Sequence, residues 1–199
     1  QSPSSSALSA DSRAAVAALL RSAAPDDQLL AGLAGDRDDE VRRQGVLWAG
    51  DSTGVESRRG YLALALLDRS PAVRLEALRV WGRRFQASDC GPIVRAIQDP
   101  VHLVALEALG LLGNPCPVAA AASDVLWPIV DSLAGGQRRD FIGIVSWHRG
   151  ATALLALARV DPVRARLVLS RAGASPVWQV RMYAARAAGV IGDPGRLLT

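Results

Sequence analysis

Few side chains in this sequence are equipped for covalent or metal chemistry. There are two histidines, His102 and His148, two cysteines, Cys90 and Cys116, and no lysine, so all 23 basic residues are arginine. Without a lysine amine, Schiff-base chemistry and a phosphate-binding P-loop are excluded. Ser146 and His148 stand in the cluster Ser146-Trp147-His148-Arg149. Two residues apart on a helix they point in different directions, which disfavours a nucleophile–base pair, so a packing or hydrogen-bonded histidine is expected. His102 follows Pro100 and Val101 at a helix opening, where a capping or solvent role is expected. No Gly-x-Ser-x-Gly, His-Glu-x-x-His, Cys-x-x-Cys or Gly-x-Gly-x-x-Gly occurs. The residues thus predict no catalysis, no cofactor and no metal site.

The five tryptophans raise the question of stacking on bases or sugars. Trp48 and Trp81 fall on the apolar side of their segments and are expected in the core, whereas Trp178 is expected at an edge. A nucleic-acid surface needs a basic stripe. Here the pairs Arg58-Arg59, Arg83-Arg84 and Arg138-Arg139 are interleaved with acids, and the formal net charge is only +4. Nucleic acid is therefore a minor alternative, and a protein or peptide partner is favoured.

These side chains are carried by a chain of 199 residues, half of them hydrophobic and 21% charged, a composition that folds. The apolar stretches Leu62 to Leu67 and Ala151 to Ala158 are short and bracketed by Arg or Asp, too short to span a membrane. The Ser/Pro-rich start at Gln1 reads as a processed or trimmed end, with residues 1–8 a flexible stub before an array over 9–199. Localisation stays open between cytoplasmic and exported to a periplasm.

Repetition is the strongest signal. Counted from Asp36, Asp68, Asp99 and Ser175, offset five carries Val41, Val73, Val104 and Val180. Offset nine carries Gly45, Ala77, Ala108 and Ala184, and offset fourteen carries Gly50, Gly82, Gly113 and Gly189. The apolar spacing within each copy is helical. Asp99 and Ser175 are predicted N-caps, Pro71, Pro100 and Pro176 are predicted in first helical turns, and the offset-fourteen glycines mark a helix end or close crossing. Partner helices are predicted near Pro25–Ala34, Gly54–Leu67, Asp89–Gln98, Ser123–Leu133 and Pro162–Arg171. A fourth, degenerate copy is placed at Arg139–Arg159, with Asp140 and Val145 in register and Arg149 where a small residue belongs. An irregular or longer helix is expected there.

With Asp, then Val-Arg, small residues and Leu-Gly at this spacing, the chain resembles the HEAT-repeat family, best at Asp68–Gly82 and Asp99–Gly113. The resemblance implies an all-α fold, an α-solenoid of about five helical hairpins, open at the C-terminus with its last repeat truncated. It implies a non-catalytic protein- or peptide-binding scaffold within a larger bacterial protein, with further repeats or a second domain in the same chain. Pro176–Arg186 is similar to bacterial HEAT regions preceding a cyclophilin-type peptidyl-prolyl isomerase domain, so an accessory segment of such an enzyme is the alternative. Arg42, Arg74 and Arg181 with Asp36 and Asp68 are expected to form a ladder of ion pairs between repeats.

On the helical wheel, offsets four, eight, eleven and fifteen lie opposite the valines and would face a partner. The predicted partner-facing set is Glu76, Arg79, Glu107, Tyr183 and Arg186. The face of Val180, Ala184, Ala187 and Ala188 is expected to lie open at the end of the array. Hairpin topology also brings Cys90 and Cys116 to the same end of the third repeat, so they bond in an oxidising compartment and remain thiols in a reducing one.

Overall fold

Four helices open on one hydrogen bond. The side-chain oxygen of Asp36, Asp68, Asp99 or Ser175 accepts the backbone N–H two residues on, from Asp38, Ser70, Val101 and Val177, at 2.8, 2.7, 2.8 and 3.3 Å. This short-range turn is what Asp and Ser side chains favour. Each helix then begins three residues after the turn residue. Asp99 and Ser175 therefore shape the turn rather than cap the helix, whose N-cap residues Val101 and Val177 make no side-chain cap bond. Pro71 is a first helical residue, but Pro100 and Pro176 lie in the turn, one residue after the side chain that shapes it.

An arginine at the fourth helical residue folds back to close the same turn. Nη1 of Arg42 donates to the carbonyls of Asp36 and Arg37 at 2.8 and 3.2 Å, that of Arg74 to Asp68 and Arg69 at 2.8 and 3.3 Å, and that of Arg181 to Ser175 and Pro176 at 2.8 and 3.1 Å. Where the third copy has Ala105, Arg149 of a later helix reaches the nearby Ile97 carbonyl at 2.8 Å.

The computed structural model describes residues 27–51, 54–134, 147–193 and 195. The expectations for residues 1–8, Arg138-Arg139, Asp140, Val145 and Ser146 lie outside them. The described residues are all-helical: α1 (Asp27–Ala34), α2 (Asp39–Asp51), a 3-10 turn (Val55–Arg58) leading into α3 (Arg59–Ala65), α4 (Pro71–Arg84), α5 (Gly91–Ala96), α6 (His102–Leu111), α7 (Ala119–Ala134), α8 (Trp147–Val160), α9 (Pro162–Arg166), α10 (Leu169–Gly173) and α11 (Trp178–Ile191).

The chain forms two compact units, residues 1–84 and 85–199. In the first, α1 packs on α2 and α3 on α4, and α2 lies against α4. Val46, Leu62, Leu78, Val80 and Trp81 fill the space between, all nearly inaccessible to solvent. α2 and α4 cross closely at Gly50, where an added Cβ would stand 2.6 Å from Cγ1 of Val80.

In the second unit α8 is central, packed by α6, α7, α9 and α11. Leu126, Leu154, Leu157 and Leu169 form its core, and Gly150 lets α8 approach Leu133 of α7. A disulfide joins Cys90, the buried N-cap of α5, to Cys116 beyond α6, with Cα atoms 5.6 Å apart. Nearby, Nε2 of the buried Gln86 donates to the carbonyls of Leu111 and Asn114 at 2.7 and 3.2 Å. The segment after α6 is thus fastened twice, covalently and by hydrogen bonds.

In the fourth copy, α8 is described as a helix over Trp147–Val160, and the part before it, with Asp140 and Val145, lies outside the described residues. One sequence expectation changes. Val180, Ala184, Ala187 and Ala188 are buried rather than open. Packing of α11 on α8 and α10 covers them, and the solvent face carries Arg181, Ala185, Arg186 and Val190.

Candidate binding ledge

The first turns of α6 and α8 and the middle of α11 bring five ring and guanidinium groups together in the second unit. His102 is the first residue of α6, Trp147 and His148 are the first two of α8, and Tyr183 and Arg186 stand one turn apart on α11. Because α8 packs against both α6 and α11, the side chains line up across three helices. The His102 and His148 ring centroids are 6.5 Å apart, edge to face at 83°. His148 stacks on Trp147 at 3.6 Å and 23°, and Trp147 meets Tyr183 at 6.2 Å and 57°. The Arg186 guanidinium carbon lies 5.5 Å from the Tyr183 ring centroid. His102, His148 and Arg186 are exposed, and Trp147 and Tyr183 are half-buried. Pairs of this kind contribute about 0.5–1.5 kcal/mol each, so the row is also a structural seam between the helices.

The predicted partner-facing residues divide. Tyr183 and Arg186 belong to this ledge, and Glu107, also of the second unit, is half-buried on α6. Glu76 and Arg79 are on α4 of the first unit. Arg79 is half-buried, but Glu76 is only 8% exposed and lies 3.6 Å from Arg43, which also bonds Glu40 at 2.7 Å. The wheel treated α4 as an isolated cylinder, whereas α2 supplies Arg43 directly over Glu76. Glu76 is therefore part of the α2–α4 seam and not a free partner-facing group.

His102, Trp147 and His148 were not read as neighbours of Tyr183. Tyr183 falls at offset eight, within the predicted stripe, but the rings beside it come from α6 and α8, whose packing no local spacing encodes.

The polar seam of the first unit is an ion-pair network. Arg42 Nε and Nη2 grip Asp68 Oδ2 and Oδ1 at 2.8 and 2.9 Å, and the Ser70 hydroxyl donates to Asp39 at 2.7 Å. Burial opposes charge on Asp68, but hydrogen bonds from Arg42 and the Ser70 N–H prevail and hold its carboxyl below the usual range. Glu40 is likewise held low, chiefly by Arg43. A cavity of about 90 Å³ beside Arg42 and Asp68 is lined also by Tyr61, Val46, Leu64 and Val73. Burial pushes the Tyr61 phenol up to about 12. The Arg42–Asp68 pair is one rung of the expected ladder, and Arg74 and Arg181 also turn back on their own turns.

In the second unit Asp161 caps α9, accepting the Arg164 N–H at 3.0 Å and the Ser123 hydroxyl at 2.8 Å. The backbone bond from Arg164 is the main cause of its lowered pKa. Arg164 reaches Asp124 at 2.8 Å and Arg171 reaches Asp131 at 3.1 Å. Trp81 is buried as expected, Trp48 is half-buried under Arg58, whose guanidinium carbon is 4.4 Å from its ring centroid, and Trp178 is 60% exposed.

Among the described residues no group of three or more His, Cys, Asp or Glu side chains could hold a metal ion, and no helix is long and apolar enough to cross a membrane. The class the described residues define is an all-α protein. No protein-family model matches the chain, and no curated protein matches it in sequence.

Proposed function

We propose that this chain is a HEAT-like α-solenoid segment working as a non-catalytic scaffold that binds a protein or peptide, as the recognition part of a larger bacterial protein. The repeated turn, the arginine that closes it, and the valine and small residues at fixed helical positions support the solenoid reading. The observation that carries the binding reading is the ledge of His102, Trp147, His148, Tyr183 and Arg186. An arrangement of aromatic rings ending in arginine matches the composition that dominates protein–protein contact energetics.

The test is selection of random displayed peptides on the purified chain, followed by measurement of the recovered peptides against Trp147→Ala and Tyr183→Ala variants. Peptides that bind the native chain and lose affinity to both variants are expected. Failure to recover any binder, or His148-dependent hydrolase or prolyl-isomerase turnover in the purified chain, would overturn the reading.

A further inference from the structure

Resting on the binding reading above, we propose that the ledge receives an acidic, extended peptide segment of another protein, with carboxylates set against Arg186 and the ring edges. Three observations carry it. The first is uncompensated charge. Arg186 is exposed, meets the Tyr183 ring, and meets no carboxylate among the described residues. Other arginines of the unit do, with Arg164, Arg166 and Arg171 on Asp124, Asp193 and Asp131 at 2.8, 3.5 and 3.1 Å.

The second is the donor inventory. Indole, imidazole and guanidinium N–H groups and the tyrosine O–H are all offered within one row, and ring edges carry the positive end of the aromatic quadrupole. An acceptor-rich ligand complements both.

The third is the occupied indole face. His148 lies 3.6 Å over Trp147, and Tyr183 is tilted on the ring at 6.2 Å. Stacking platforms for single-stranded nucleic acid need open aromatic faces and a cationic groove along the backbone. A covered indole in a row that ends in a single guanidinium provides neither. A peptide needs only edges, donors and a half-exposed apolar surface for its intervening side chains.

The experiment uses the whole chain and fluorescein-labelled peptide pools of one length, built from Asp, Glu, Pro, Tyr and Leu, with matching pools in which Asn and Gln replace the acids. Labelled oligothymidylate is the third probe, and fluorescence anisotropy gives the dissociation constants. The acidic pool should bind at least about tenfold more tightly than its amide counterpart, weaken with salt, and lose that preference in Arg186→Glu. Trp147→Ala should weaken it as well, whereas Arg171→Ala, which removes an equal charge already paired elsewhere, should not. Helical content by circular dichroism establishes that each variant is folded. Equal affinity for acidic and amide pools would overturn the acidic ligand while leaving the peptide-binding reading standing. Binding of neither pool, or tighter binding of oligothymidylate, would overturn both.

Discussion

Arg42 and Asp68 form a bidentate ion pair between α2 and the turn before α4, with side chains only 4% and 13% exposed. The remaining nitrogen, Nη1, closes the turn of Arg42's own repeat, so a single guanidinium satisfies two successive turns. Removing one partner of a buried pair leaves the other charged and desolvated, a loss of about 3–5 kcal/mol. Arg42→Ala should therefore lower unfolding free energy by that order in chemical denaturation. Arg186→Ala, exposed and on α11, should change it by no more than about 1 kcal/mol, the size of an exposed cation–π pair. A loss under about 1 kcal/mol for Arg42→Ala would show that the pair is dispensable.

Acid sensitivity follows from the same residues. Asp68, Asp161 and Glu40 have folded pKa values below their ordinary ones. A depressed carboxyl contributes stability that is complete above the unfolded value, about 3.9 for Asp and 4.3 for Glu. That contribution disappears as pH falls through the lower, folded value. Denaturation midpoints should thus hold from neutrality to about pH 5 and fall at lower pH, with a shallower acid dependence in Asp161→Asn. An unchanged acid profile in that variant would contradict the role of Asp161.

Tyr61 predicts the alkaline limb. Its folded pKa is pushed up to about 12, so burial of the neutral phenol favours folding below its unfolded value of about 10. This contribution is lost as pH rises toward 12. In a Tyr183→Phe background, where Tyr61 is the remaining tyrosine, phenolate absorbance should develop well above pH 10 when folded and near 10 in denaturant. Coincident titrations would place the hydroxyl in solvent.

The disulfide should be visible as the absence of alkylatable thiol in denatured, unreduced protein, since both cysteines are bonded. Its loop spans 26 residues, and in the chain-entropy treatment closing it stabilises the fold by roughly 3.5 kcal/mol. Cys90→Ala/Cys116→Ala should lower stability by that order. Two free thiols in protein made in an oxidising compartment would refute the bond.

Two glycines at the same repeat position should respond oppositely to alanine. Gly189 faces open space in α11, so Gly189→Ala should stabilise by up to about 1 kcal/mol through helix propensity. At Gly50 the new Cβ meets Val80 of α4, and Gly50→Ala should destabilise by about 1–3 kcal/mol. Equal effects in thermal melts would mean that α2 and α4 do not cross closely at Gly50.

The four turns and most helices were legible in the sequence because each depends on residues near one another in the chain, although the helix expected near Pro162–Arg171 is divided into α9 and α10. Asp36, Asp68, Asp99 and Ser175 set the turns, and Val and Ala at fixed offsets set the buried faces. The pairing of Cys90 with Cys116 was legible as a geometric possibility for the same reason, since one hairpin contains both.

What a side chain meets beyond its own helix was decided only by packing. The stripe containing Glu76 is solvent-facing on an isolated helix, yet α2 places Arg43 over it. The valines and alanines of α11 look unpartnered in sequence, yet α8 and α10 cover them. His102, His148 and Tyr183 lie far apart in the chain and become neighbours because α8 contacts both α6 and α11. Local hydrogen bonds and periodicity act over a few residues, whereas these contacts depend on which helices pack together and in what register.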